Sequence, residues 1–371
     1  MSLADKIQPN GQKKILALDG GGIRGMLSVE ILARIEDILR EKSGRGKDFV
    51  MSDYFDFFAG TSTGAIIAAC LSWGMTVDKI RNFYLQNGAE MFDRAGLLDR
   101  YYRHKFHSEK LCAQLQREFG AETTLGSEKL RTLLMMVLRN ASTDSPWPVS
   151  NNPGAKYNDA ARADCNLNLP LWQLIRASTA APTYFPPEIV KVGAREFIFV
   201  DGGVTMYNNP AFQAFLMATV EPFNLKWPTG GDKLLVVSVG TGTSPYANAE
   251  LRPDEMNVLY NATSIPSALM LAALNEQDFL CRVFGKCLEG DPLDREVGDM
   301  IGKSGPVQPK LFTYMRYNAE LTYEGLLSLG IENVDPKSVQ QLDSIAFISD
   351  LQRVGRAVAD SKVKLQHFQD F

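Results

Sequence analysis

Apolar positions along this chain cluster in short unbroken runs. Each run ends at glycine or a small polar residue and is followed by a stretch whose apolar positions recur every three to four residues. "KILALD" (14–19) is the first run, and "MLSVEILARIEDILREK" (26–42) has helical period with Gly44 just beyond it. The grammar repeats as "YFDFFAG" (54–60), "TSTG" (61–64) and "AIIAACLSWG" (65–74). Strand, glycine turn and helix, twice over, predict an α/β fold with a mostly parallel sheet, because only strands covered on both faces can be apolar at every position. Further strands are predicted within 130–140, 195–203, 233–242 and 310–318, and a closing helix over 350–368. The Pro-, Asn- and Gly-rich stretches 142–170 and 286–309 read as loops, not linkers, and there are no internal repeats.

Composition narrows the function. The 371 residues, 45% of them hydrophobic, suffice for one large α/β domain or two ordinary ones. Thirty-nine basic and 43 acidic residues leave a net charge of -4, which gives no general attraction for nucleic acid or anionic lipid, so any membrane contact must be local. The polar N-terminus lacks an apolar core of signal-peptide length, and no run reaches the ~18 apolar residues of a membrane span; the expectation is a soluble, cytoplasmic protein. The five cysteines (Cys70, Cys112, Cys165, Cys281, Cys287) form no C-x-x-C pair, which points away from a disulfide framework or a zinc ribbon.

Three local patterns carry chemistry. "GTSTG" (60–64) fits a nucleophile elbow, in which flanking glycines allow a sharp strand-to-helix turn that lifts Ser62 toward substrate; the bland alternative is a helix-capping serine. "DGGGIRG" (19–25) fits G-x-G-x-x-G at Gly20, Gly22 and Gly25, so a dinucleotide site with Asp53 or Asp56 as ribose acid is a rival. Asp19 argues against it, since a carboxylate there would oppose a pyrophosphate. Successive glycines instead let backbone N–H groups converge on one small anion, such as the oxyanion of a tetrahedral acyl intermediate, with Arg24 adding positive charge. Asp201 ends the apolar run before Gly202 and Gly203, where it serves either as a site carboxylate at the sheet edge or as a turn acid. Of the three histidines, His104 and His107 sit in a basic aromatic segment, and only His367 follows Ser62 and Asp201 in hydrolase order, four residues from the C-terminus.

Together these residues resemble the patatin-like phospholipase family, whose pattern D-G-G-G-x-R-G, G-x-S-x-G, D-G-G or D-G-A recurs as Asp19–Gly25, Gly60–Gly64 and Asp201–Gly203. "ASTAAPTYFPP" (177–187), "NNP" (208–210) and "VSVGTG" (237–242) resemble segments that such enzymes carry around the third motif. The resemblance implies a three-layer α/β/α sandwich, here one domain over 12–371 with a motif-bearing core at 14–245. Residues 246–371 would complete that domain or carry regulation. It implies a serine lipid acyl hydrolase of phospholipase A or lysophospholipase type, without metal or cofactor. Ser62 would be the nucleophile, Asp201 its only protein partner, and Gly20, Gly21, Gly22, Ile23 and Arg24 the oxyanion hole. An acyltransferase on the same fold and a nucleotide-binding protein using Gly20–Gly25 as a phosphate loop are the alternatives. The expected substrate is a phospholipid or lysophospholipid and no nucleic-acid polymer. "MFDRAGLLDRYYRHKFH" (91–107) reads as either a peripheral membrane face or a core-packed connector. Bacterial members of the family suggest a cyclic-nucleotide activator.

Overall fold

The computed structural model describes residues 2–91, 108–245, 251–343 and 345–371. Residues 92–107, which hold His104, His107 and nearly all of the expected membrane face, lie outside the described residues.

Among the described residues one mixed sheet contains nine strands: β1 Lys13–Leu18, β2 Phe57–Thr61, β3 Leu133–Asn140, β4 Ser145–Ser150, β5 Glu188–Val192, β6 Arg195–Asp201, β7 Leu234–Val239, β8 Lys286–Glu289 and β9 Thr313–Tyr317. Hydrogen-bonded neighbours follow the path β5-β6-β3-β2-β1-β7-β9-β8, with β4 also on β3. The run from β3 through β2, β1, β7 and β9 to β8 is parallel, while β4 pairs antiparallel with β3 on one edge and β6, followed by β5, pairs antiparallel with it on the other.

Alternation along β1 divides the core. Leu16 and Leu18 face a layer with the helices Gly25–Ser43, Thr63–Ser72, Leu171–Ser178 and Ile348–Lys362, whereas Ile15 and Ala17 face the helix Ala211–Thr219 and the end of Val258–Phe284. Two helical layers on one sheet make the α/β/α sandwich. Thr63–Ser72 is apolar on all sides because it is buried on all sides.

Three strands fall where the sequence reads as loop or goes unremarked. β4 carries Pro146 and Pro148, which cannot donate to a ladder and so mask an edge strand. β8 is four residues long, and β5 is half exposed. The closing helix stops at Lys362, not 368: Val363 is extended, and the chain turns inward to bury His367 and Phe368 in a 3₁₀ turn.

Candidate active site

Two strands bring the site together by meeting end to end. β4 occupies one edge of β3 over residues 135–140, so the other edge must hold both β2, with Thr61 opposite Val137, and β6, with Asp201 opposite Leu138. β2 and β6 therefore run toward each other along the same edge, and their last residues are neighbours. The next residue of β2 is Ser62, whose Oγ donates to Asp201 Oδ2 at 2.6 Å. The other carboxylate oxygen, Oδ1, accepts the Gly203 N–H at 2.7 Å, so Asp201 caps the turn with one oxygen while the other faces Ser62.

Ser62 has φ 53° and ψ -123°, a conformation a side-chain-bearing residue rarely takes, and the helix Thr63–Ser72 starts immediately after it. The flanking glycines are needed for space: a Cβ on Gly60 would strike the Gly64 backbone, and one on Gly64 would strike the Leu18 carbonyl. The half-buried hydroxyl thus projects at the positive end of a buried helix.

The glycine loop follows β1 and packs on the elbow; a Cβ on Gly20 would stand 3.2 Å from Ser62 Cβ. The Gly20 N–H goes to the Asn208 carbonyl (3.2 Å), Ile23 N–H to the Leu342 carbonyl (2.9 Å) and Arg24 N–H to the Gly21 carbonyl (3.2 Å). The Gly21 and Gly22 N–H groups donate to nothing among the described residues. Two such groups side by side are equipped to hold one small anion. The Arg24 side chain likewise has no hydrogen bond or ion pair among the described residues, and its buried Nε is unpartnered. Burial pulls its pKa down to about 10, against the raising effect of Asp19, so it is cationic at neutral pH.

Asp201 is almost fully buried, and burial raises its carboxyl to about 6 despite the Ser62 and Gly203 hydrogen bonds and the Arg176 charge, all of which lower it. Asp19 plays another part: its carboxylate meets Arg316 at 2.6 and 3.3 Å, and Arg316 also reaches Ser238 Oγ (2.6 Å) and Asp278 (3.5 Å). Burial opposes the charge on Arg316, but Asp19 and Asp278 outweigh it and hold its pKa above the ordinary value.

The remaining candidates do not join this cluster. His367 is buried with Nδ1 2.8 Å from the Tyr317 hydroxyl, and among the described residues no histidine bonds Ser62 or Asp201. Asp56 accepts from Lys14 N–H and lies 3.8 Å from Lys6, while Asp53 caps a 3₁₀ turn through Val50 N–H, so both potential ribose acids are engaged elsewhere.

Four contributors have no role in the sequence reading. Ser178 accepts the Ser62 N–H, Asn208 the Gly20 N–H and Leu342 the Ile23 N–H, and Thr241 Oγ1 donates to the Gly20 carbonyl at 2.8 Å. Three of them lie in the segments "ASTAAP", "NNP" and "VSVGTG", so the signal was in the family resemblance; Leu342 has none.

An open α/β sheet with a strained strand-to-helix serine, an aspartate on its hydroxyl and a glycine loop beside it defines the class. The chain belongs to the patatin-like phospholipase family, whose sequence model "Patatin-like phospholipase" matches residues 16–215. It is similar to "Intracellular phospholipase A2" of Caenorhabditis elegans (31% identity over 239 residues, 62% of this chain and 20% of that one). It is also similar to "cGAMP-activated phospholipase" of Escherichia coli strain TW11681 (29% over 240 residues, 63% of each) and to "Patatin-like protein 1" of Arabidopsis thaliana (27% over 402 aligned positions, 94% and 93%). The chain thus spans only a fifth of the first relative and under two thirds of the second.

Proposed function

We propose that this protein is a serine lipid acyl hydrolase of phospholipase A or lysophospholipase type, acting through a Ser62–Asp201 dyad. The observation that carries the reading is the 2.6 Å hydrogen bond from a strained serine to a buried carboxylate. Ser62 Oγ attacks the ester carbonyl as Asp201 takes its proton, and the oxyanion that forms accepts from Gly21 and Gly22 N–H with Arg24 alongside. Asp201 then hands the proton to the leaving alcohol; in the second half it deprotonates the water that attacks the acyl carbonyl and returns that proton to Ser62 Oγ as the acyl bond breaks, which releases the fatty acid and restores the free serine. Gly20 lets the loop approach Ser62, and Ile23 anchors it. Labelling with a fluorophosphonate tests class and nucleophile together: the modified peptide should contain Ser62, and labelling elsewhere, or none by an ester-hydrolysing preparation, would sink the proposal.

The raised Asp201 pKa sets a pH dependence. The base is the ionised form, which gains population as pH rises, so kcat/KM should climb through a limb centred near pH 6 and level off above it. A limb at the ordinary carboxylate value would mean that burial does not raise the Asp201 pKa, and a limb that persists in Asp201→Asn would mean that Asp201 is not the base. Arg24→Ala should cut kcat by about 10²-fold with a smaller change in KM, the loss typical of one oxyanion-stabilising donor. Unchanged turnover with lowered melting temperature would instead make Arg24 structural.

Glycerolipid is the proposed substrate class, met by peripheral contact; no helix among the described residues is long and apolar enough to cross a membrane. The pairing of β9 with β7 and of β8 with β9 supports treating 12–371 as one acyl hydrolase unit. The similarity to a relative named as cGAMP-activated supports a cyclic-nucleotide activator, tested by assaying phospholipid hydrolysis with and without that nucleotide.

A further inference from the structure

Where β2 leaves the sheet, a side chain stands in its ladder. The Ser62 N–H does not reach the neighbouring strand β3 directly; it donates to Ser178 Oγ at 3.0 Å, and that hydroxyl donates to the Val137 carbonyl at 2.6 Å. Val137 is the β3 residue paired with Thr61, at the gap between the ends of β2 and β6. Ser178 is wholly buried at the end of the helix Leu171–Ser178, and two residues later Ala180 presents its carbonyl to the Asp201 N–H at 3.0 Å. One short segment therefore holds the backbone of both Ser62 and Asp201. The fit is close on the other side too, since a Cβ on Gly202 would collide with the same Val137 carbonyl.

We infer that Ser178 is a positioning residue for the reaction: its hydroxyl, interposed between Ser62 N–H and Val137 C=O, sets where the Ser62 hydroxyl stands relative to Asp201. This rests on the proposed role of Ser62. The interposed oxygen does two things that a direct ladder bond would not. It holds the N–H of a residue in a strained conformation that the chain would otherwise relax. It also commits that N–H, so that the oxyanion is left to the glycine loop. A hydroxyl is required because the position must accept from one side and donate to the other, which neither alanine nor a pure acceptor can do.

The test begins with the wild type, whose labelling at Ser62 decides the underlying reading independently of Ser178. Given that labelling, Ser178→Ala should lose about 10- to 100-fold in kcat, the scale of a small misplacement of a reacting group. KM should stay within about twofold, as expected when ground-state binding is untouched. The second-order rate of fluorophosphonate labelling should fall in parallel, while the stoichiometry of labelled sites stays near one per folded chain. Ser178→Thr, which restores a hydroxyl, should recover most of kcat. Should Ser178→Ala fail to fold, Ser178→Cys, nearly the same shape with a weak acceptor, should show the same fall in kcat and labelling rate. Wild-type kcat per labelled site in a folded Ala or Cys variant, with only the melting temperature lowered, would overturn the inference.

Discussion

Ser62→Ala and Asp201→Asn should each reduce ester hydrolysis by about 10⁴-fold or more while the protein stays folded, and the double variant should be no worse than either single one. The expected non-additivity follows from the geometry. The hydroxyl and the carboxylate share one proton across 2.6 Å, so neither has a partner to work with once the other is gone. Asp201→Asn keeps an oxygen for the Gly203 N–H and nearly the same volume, which preserves the turn after β6. What it removes is the basic form, the only state able to accept the Ser62 proton. Steady-state hydrolysis of a soluble short-chain ester, with circular dichroism to verify folding, checks both variants. Substantial activity in Asp201→Asn would refute the dyad.

The largest effect on stability is expected at Arg316. Arg316→Met should destabilise the protein by about 3–5 kcal/mol, because it leaves the Asp19 carboxylate buried without its counter-charge. The side chains of Asp19 and Arg316 are only 1% and 3% exposed, so water cannot replace the lost partner. Asp278 is less affected, since Arg282 contacts it twice, at 2.9 and 2.7 Å. Asp19→Asn combined with Arg316→Met should therefore recover part of the loss by removing the stranded charge. The denaturation midpoint in urea reads both variants; equal midpoints for Arg316→Met and wild type would show that the pair contributes nothing.

Arg316 also illustrates what can be read from a chain and what cannot. Asp19 is visible in the sequence as a carboxylate hostile to phosphate, but its partner lies almost 300 residues away on β9, and no local spacing links them. The glycine loop and the elbow are legible because each is a local steric device: close approach or positive φ requires glycine at fixed offsets from an apolar strand. β4 is illegible for the opposite reason, since its prolines signal loop and only pairing along an edge overrules them. The closing helix is legible in type but not in length, because the stop at Lys362 comes from the burial of Val363 and Phe368 and not from any capping residue.

The sequence by itself determined the α/β class, the parallel core strands, and the presence and order of Ser62, the glycine loop and Asp201, for these depend on residue types within a few positions of one another. Only the tertiary structure decided that Ser62 and Asp201 meet. Their strands are antiparallel in effect and share one edge of β3, an outcome set by strand register, which a stretch of apolar residues does not encode. The tertiary structure likewise decided which loop N–H groups are uncommitted, because Asn208 and Leu342, from distant parts of the chain, take those of Gly20 and Ile23. It also placed Ser178 in the seam of the sheet. A hydroxyl's role is fixed by the two groups it bridges, and here those groups are brought within reach only by folding.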